Sequence, residues 1–473
     1  MISHAGREGV RGHRHGSNAA LGSFLCLLNV KGAARRLGLS ERFARDASRR
    51  GRIPLPSGPR VAAVPGCSGR PGWRGTPVPG VGRSLEDKMN GRPAFYDFFA
   101  GAGLVRLGLE PEWRCLWAND IDPRKAEAYI ANFGHGEFRL GDIAEVRGSD
   151  LPGRAELAWA SFPCQDLSLA GPRLGMRGSR SATFWEFVRV LQELAVEGRR
   201  PPLVVVENVT GLLKPESLKA VCGALSKLEL RPGALLIDAR WFLPQSRPRV
   251  FVVAAEEGLL EAVATQGLIA DGPDPASPWT PARLWKAFQA LPEELGKAWV
   301  WWRLPPPEGR PPSLASLLEL EEAPEDAPWH PPEETRRLLA MMAPSHRGHV
   351  REAQQSGRRT IGTIYRRMRH GEQRAEIRVD GLAGCLRASR GGSSRLILMV
   401  IEGERIRSRR LSAREAARLM GVPDDFRLPG RYGDAYNAVA DGVAVPVVAW
   451  LSRHLLLPLA RAAAERSAAM EAA

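Results

Sequence analysis

Cysteine is scarce in this chain. Its 473 residues hold six, at positions 26, 67, 115, 164, 222 and 385. No two form a Cys-x-x-Cys pair, and none joins a histidine cluster at zinc-ligand spacing. That excludes a disulfide framework, argues against a structural metal and fits a reducing compartment. Long apolar runs are missing too: none approaches the roughly 18 residues of a membrane span. Ala19–Val30 has the length of a signal-peptide core and follows Arg11 and Arg14, but no small-residue cleavage pattern comes after it. Export is therefore not expected, and the expectation is a cytoplasmic chain with neither a membrane nor a metal partner. The body of the chain also lacks a strong charge excess. Of the net +15, residues 1–88 carry +11, with 16 Lys+Arg against 5 Asp+Glu. The basic signal belongs to a front segment.

That segment, 1–90, is rich in Arg, Gly, Pro and Ser and has little periodicity, the composition of a disordered extension. One stretch, 32–54, reads as helix, turn, helix with Ser40 as a cap, and resembles the small helix-turn-helix of excisionase-like proteins. Met89 stands just before the first clear strand, so an over-extended gene start is the other reading of 1–88.

From residue 93 the texture is that of a packed α/β domain, and 44% hydrophobic content is enough for a core. Ala94–Phe98 is an apolar strand that runs into the glycine-rich turn Phe99-Ala-Gly-Ala-Gly103. Trp113–Ala118 is a second strand, ending in Asn119-Asp120, and a third short one leads to Asp142. Glu156–Ala160 is followed by Ser161-Phe-Pro-Cys164. Pro202–Val206 ends in Glu207-Asn208, and Leu235–Asp238 and Val250–Ala254 flank Gln245-Ser-Arg-Pro-Arg249. Strands alternate with helical segments, and each delivers a polar residue at its carboxyl end. This pattern predicts a doubly wound parallel sheet with its site at that edge.

After about residue 256 prolines cluster, and six of the 13 tryptophans fall in 279–329. From 345 to 410 the chain turns basic, with Arg366-Arg-Met-Arg369, Arg387, Arg390 and Arg395 around the flexible turn 391–394. This predicts a second, smaller domain that touches phosphates. Ser412 and Glu415 form the capping box of a helix, and a last helix covers Val447–Leu457.

Eight motifs stand in one order: Phe99–Gly103, Asn119-Asp120, Gly141-Asp-Ile143, Pro163-Cys-Gln165, Glu207-Asn-Val209, Gln245-x-Arg-x-Arg249, Arg410–Glu415 with Pro423–Phe426, and Asp441–Pro446. Together they resemble the DNA cytosine-5 methyltransferase family over about 93–457. Three positions depart from the family's pattern: Leu104 replaces a glycine, Ser412 a threonine, and Ala440-Asp-Gly-Val443 the usual Gly-Asn-Ala-Val.

The resemblance implies a Rossmann-like, S-adenosylmethionine-dependent methyltransferase sheet at 93–256, a target-recognition domain at 257–408, a return segment at 409–457 that completes the catalytic domain, and a tail at 458–473. The substrate it implies is a specific site in double-stranded DNA, bound by a monomer. A restriction endonuclease partner is compatible with the family but is not read from this chain. Cytosine is not nucleophilic at C5, so a thiolate must first add to C6. Cys164 is the expected nucleophile, Glu207 the proton donor at N3, and Arg247 and Arg249 the holders of O2 and the flanking phosphate. For the methyl donor the resemblance implies Phe99, Gly101, Gly103, Asp120, Ile121, Asp142, Ile143, Pro163 and Asp441. Gln165, Ser168, Asn208, Gln245 and Arg180 are placed on the substrate side. Ser168–Ala182, with three glycines and three arginines, is expected to close over a flipped base. The region between motifs is about 150 residues long, which favours DNA over the RNA-acting branch of the family. Intact Cys164, Glu207 and Arg249 disfavour a dead, purely DNA-binding regulator. An amino-methyltransferase would need an Asn/Asp/Ser-Pro-Pro-Tyr/Phe motif in place of Pro163-Cys-Gln.

Overall fold

Leu157–Ala160 and Leu203–Val206 are apolar on both faces, and strands of that kind belong inside a sheet covered on both sides. A computed structural model of the chain describes residues 91–163, 182–388 and 395–472, and there the two segments are neighbours in a seven-stranded sheet. Its strands are β1 (Ala94–Phe98), β2 (Arg114–Asp120), β3 (Phe138–Leu140), β4 (Leu157–Ala160), β5 (Leu203–Val209), β6 (Leu230–Asp238) and β7 (Pro248–Glu256). They lie in the order β3-β2-β1-β4-β5-β7-β6. All pairs from β3 to β5 are parallel, whereas β7 runs antiparallel to both β5 and β6. The expected sheet is thus present, with one reversed strand. The basic extension, the stretch 32–54, Cys164, Gln165, Ser168, Arg180, the loop from Ser168 and the turn 391–394 lie outside the described residues.

Alternation of side chains divides the core. Phe95, Trp159, Val205 and Phe251 enter one apolar cluster, while Tyr96, Ala160, Val206 and Val252 enter another on the opposite face. The first face is covered by α1 (Leu104–Leu109) and α2 (Pro123–Phe133), the second by α3 (Ala182–Val196) and α4 (Pro215–Ser226). Asp122 caps α2 by accepting from Arg124 N at 3.0 Å, Pro123 occupies the first turn and Gly134, at φ 85°, ends it.

The segment expected to begin the recognition domain packs instead on this sheet. It holds α5 (Glu257–Val263), β8 (Ile269–Ala270), α6 (Ala282–Gln289) and β9 (Trp301–Trp302). The reason is the edge strand β6. Its outer backbone is satisfied by this segment: Leu236 N donates to Trp279 O at 2.8 Å and Val300 N to Pro232 O at 3.0 Å. A Cβ added at Gly233 would stand 2.1 Å from Val300 O. Gly233→Ala should therefore lower stability by about 1–3 kcal/mol, read as a fall in the midpoint of a thermal melt; an unchanged midpoint would contradict this packing.

The second sheet, in the order β11-β10-β12-β13, comprises β10 (Thr360–Arg369), β11 (Glu372–Arg378), β12 (Ile397–Glu402) and β13 (Arg405–Arg410). One face packs on α7 (Pro332–Ala340) and α8 (Pro344–Gln355) around Leu338, Val350, Ile364, Ile377 and Met399. Tyr365, Leu398 and Val400 point the other way and join the first core cluster. The smaller domain therefore starts near Pro332 and shares a core with the larger one.

The return segment forms α9 (Ala413–Leu419), α10 (Tyr432–Ala440) and α11 (Val445–Leu451), then a π turn and α12 (Leu457–Ala472). The capping box of α9 is present as expected, and Arg409 pairs with Glu415 at 2.6 Å with both side chains fully buried. Leu459, Ala460 and Ala462 are buried, so the expected tail at 458 begins as a core helix. The helical stretch Tyr432–Arg466 is long and apolar enough to cross a bilayer by composition, but 67% of its apolar window is buried in the protein. Packing on the sheet accounts for that apolarity.

Candidate active site

The parallel strands bring their carboxyl ends to one edge: Phe98 lies beside Asn119 on one side and Ala160 on the other, and Ala160 beside Val206. At the end of β1 the chain turns through left-handed backbone at Phe99 (φ 61°), Gly101 (58°) and Gly103 (84°). A Cβ at Gly103 would lie 2.4 Å from the Phe133 ring, so only glycine fits there. Asp120, at the end of β2, holds this turn. Its carboxylate accepts from Gly101 N at 2.9 Å and from Asp122 N at 2.8 Å. Burial raises its pKa, against the pull of Lys125 and these backbone donors. Asn119 Nδ2 donates to Arg139 O and Gly141 O, both at 3.0 Å, and so ties the ends of β2 and β3 together. Asp142 is exposed and caps the turn 143–145 by accepting from Ala144 N at 3.0 Å. Ile143 is buried, whereas Ile121 is 64% exposed at the edge. Lys125 Nζ pairs with Asp441 Oδ2 at 3.0 Å.

Two strands along, Ser161, Phe162 and Pro163 continue β4 up to the residue before Cys164. Asn208 anchors this segment: its Nδ2 donates to Phe162 O at 3.0 Å and its Oδ1 accepts from Val209 N at 2.8 Å. Glu207 is 7% exposed and 3.2 Å from Arg249 Nε. Burial raises its pKa, although Arg249, Arg247 and the hydrogen bond with Ser161 pull the other way. A glutamate of this kind keeps a proton into a higher pH range than usual and can give it up to a bound group. The reversal of β7 explains the pairing, because an antiparallel strand starts at the edge where its neighbours end. Arg249 is opposite Val209 in the register.

Arg247 and Gln245 turn inward. Arg247 is 2% exposed. Its Nη1 donates to Leu386 O at 3.0 Å and to Cys385 Sγ at 3.3 Å, and its Nη2 to Ala440 O at 2.8 Å and Gly442 O at 2.7 Å. Gln245 is fully buried, donating to Leu419 O at 2.6 Å and accepting from Leu386 N at 3.3 Å. Arg247 was expected among the catalytic residues and Gln245 on the substrate side; their polar atoms bind the entry of β7 to the 383–386 segment and to the return segment.

A family model for C-5 cytosine-specific DNA methylase matches residues 94–456. The chain belongs to that family. Among similar methylases, the Type II methyltransferase M1.ScrFI of Lactococcus lactis subsp. cremoris is 25% identical over 378 residues, covering 79% of this chain and 80% of that one. The Type II methyltransferase M.NlaX of Neisseria lactamica is 26% identical over 359 residues, covering 74% and 92%. The solved structure of the S. pombe Dnmt2 methyltransferase aligns with 78% of this chain and 99% of its own at 16% identity and a TM-score of 0.49.

In this methylase one group at the site is invisible to motif reading. Cys385 Sγ sits 3.3 Å from Arg247 and 3.8–3.9 Å from the Arg249 guanidinium. Burial works against its thiolate, but Arg247, Arg249 and Arg387 outweigh it and the pKa falls below the ordinary thiol value. Burial pushes Cys115 and Cys222 up to about 12, at Cys115 against the opposing pull of Arg106. The one local hint is the basic neighbourhood of Cys385, since Arg247 is 138 residues away. Asp97 of β1 is fully buried, and neither carboxylate oxygen has a hydrogen-bond partner among the described residues. Burial holds its pKa well above the carboxylate range. Folding stability from this group is fully present below the unfolded value, near 3.9, and is lost as pH rises through the folded one. Asp97→Asn should narrow the difference in melting temperature between pH 5 and pH 8; an unchanged difference would refute the assignment.

Proposed function

We propose that this methylase transfers a methyl group from S-adenosylmethionine to C5 of cytosine at a specific site in double-stranded DNA. The observation that carries the reading is the pairing of Arg249 on β7 with buried Glu207 on β5, the strand whose Asn208 anchors Phe162, two residues before Cys164. Cys164 adds as thiolate to C6 of a cytosine turned out of the duplex, which costs a few kcal/mol of unstacking. Glu207 gives its proton to N3 and so draws the addition forward, and Arg249 holds O2. C5 is then nucleophilic. With the methyl on C5 and the donor released as a neutral thioether, loss of the C5 proton to water and expulsion of Cys164 as thiolate would restore the ring, and Glu207 would recover its proton from N3. Asn208, Gln245 and Arg247 position these groups, while Gln165, Ser168 and Arg180 meet the DNA.

The edge made by Phe99, Gly101, Gly103, Asp120, Ile121, Asp142, Ile143, Pro163 and Asp441 fits the donor. A carboxylate has about four acceptor sites. Asp120 spends two on backbone N–H groups, leaving two for the ribose hydroxyls. Exposed Ile121 offers an apolar flank to adenine, and the glycines keep side chains off the turn. S-adenosylmethionine supplies an electrophilic sulfonium methyl to a carbon nucleophile. The basic second sheet then reads the target.

The test is methyl incorporation from labelled donor into plasmid DNA and into RNA, with bisulfite sequencing of the DNA product. Label in DNA at one recurring cytosine context is the expected result. Label in RNA alone, or label in DNA recovered on adenine rather than cytosine, would overturn it.

A further inference from the structure

The start of β7 brings two guanidinium groups to the site. Arg249 pairs with Glu207 at 3.2 Å, but the proposed mechanism needs Glu207 with its proton on, and that form carries no charge. Arg247 is buried, and its partners are the carbonyls of Leu386, Ala440 and Gly442 and the sulfur of Cys385. Among the described residues no carboxylate pairs with it. Burial and then Arg249 work against the charge on Arg247, and Cys385 leads the groups that support it. Buried cations persist where a counter-charge meets them. Cys385 Sγ touches both guanidiniums, 3.3 Å from Arg247 Nη1 and 3.8–3.9 Å from Nη2 and Nη1 of Arg249. Its own segment fixes it there. Ser246 N donates to Ala383 O at 2.9 Å and Ala383 N to Pro244 O at 2.7 Å, so the segment lies along the entry of β7. Tyr365 of β10 donates its hydroxyl to Cys385 O, and a Cβ at Gly384 would stand 2.3 Å from the Tyr365 ring.

We propose that Cys385 is a positioning residue for the methyl transfer: its sulfur, as an anion shared by Arg247 and Arg249, holds the Arg249 guanidinium between itself and Glu207. The proposal rests on the roles given above to Glu207 and Arg249. The titratable groups that face the sulfur are Arg247 and Arg249 at the start of β7, Arg387 on its own segment, Tyr365 on β10 and Tyr436 on α10. Burial disfavours an anion at Cys385, and the three arginines outweigh it. Those that face Glu207 are Arg249 and Arg247, with Ser161 as a hydrogen-bond partner. Without the sulfur anion, Arg249 turns its full charge on Glu207. The carboxylate form is then favoured, and the acid loses its proton at lower pH.

The experiment records kcat against pH for the full chain, its Cys385→Ser variant and its Cys385→Asp variant, with methyl incorporation into DNA as the readout. Serine keeps a polar atom without a charge, whereas aspartate restores the charge. Cys385→Ser should move the falling limb of kcat to lower pH by about one pH unit, which above the limb is about a tenfold loss. Its KM for DNA should stay within about twofold of the wild type, which also reports that it is folded. Cys385→Asp should bring the limb back. In an Arg249→Met background Cys385→Ser should move the limb no further, because the sulfur acts through Arg249. An unmoved limb in Cys385→Ser, or the same movement with and without Arg249, would overturn the proposal. The ultraviolet difference spectrum of wild type against Cys385→Ser needs no substrate, and Cys164 cancels from it. Thiolate absorbance below the ordinary thiol range is expected, and absorbance confined to that range would overturn the proposal. Wild-type protein that shows the thiolate yet methylates no DNA would overturn the transfer reading and the positioning role with it, an outcome distinct from the others.

Discussion

Cys164→Ala protein should transfer no methyl group above background while binding its DNA target as tightly as the wild type. Among the described residues, no other thiol is as well suited to open the route to C5. Cys115 and Cys222 are buried with pKa values pushed up to about 12, and a thiol that holds its proton is a poor nucleophile. Cys385 has a depressed pKa, but its sulfur rests on two guanidinium groups that the site uses for other purposes. Label incorporation and filter binding on the same preparation check the split. Residual transfer by Cys164→Ala that disappears in the Cys164→Ala, Cys385→Ala double variant would move the nucleophile to Cys385. Residual transfer by both would end the covalent reading.

Glu207→Gln should lower kcat by about 10²–10⁴-fold, the usual contribution of a positioned general acid. The variant keeps the size of the side chain but cannot give a proton. The pH dependence separates this from a packing defect. In the proposed mechanism Glu207 acts in its protonated form, and burial raises its pKa. In the wild type kcat should therefore fall as pH rises through that raised value, on top of any rise from thiolate formation. In Glu207→Gln the falling limb should be absent. A variant with the same falling limb, or with kcat within a fewfold of the wild type, would assign the proton to another group. Arg249, 3.2 Å away, pulls against the rise that burial causes, so Arg249→Met should move the limb to higher pH.

Much of this was legible along the chain. The strands β1, β2, β4 and β5 are largely apolar, and each leads to a residue with chemistry: Phe99, Asp120, the Ser161–Pro163 run, Glu207. The capping box of α9 was legible for the same reason, since Ser412 and Glu415 act over three residues. Other expectations failed where a contact reaches across the chain. Residues 257–330 looked like the start of a second domain by composition, but their tryptophans cover the edge of β6. The stretch from 458 was expected as a tail, yet Leu459, Ala460 and Ala462 are buried in the core of the larger domain. Arg247 and Gln245 carry the same motif as Arg249, and sequence could not tell which of the three stays at the site.

What the residues alone decide is therefore the set of elements, the family and the chemical groups at each strand end, because hydrophobic period, caps and glycine turns act within a few positions. What only the tertiary structure decides is which of those groups meet. The direction of β7 follows from its packing between β5 and β6, not from its own composition, and that direction brings Arg249 to Glu207. The same holds for Cys385 beside Arg247 and for Lys125 beside Asp441. A charge pair between distant segments leaves no local pattern, since its energy depends on a separation that exists only after the sheet has closed.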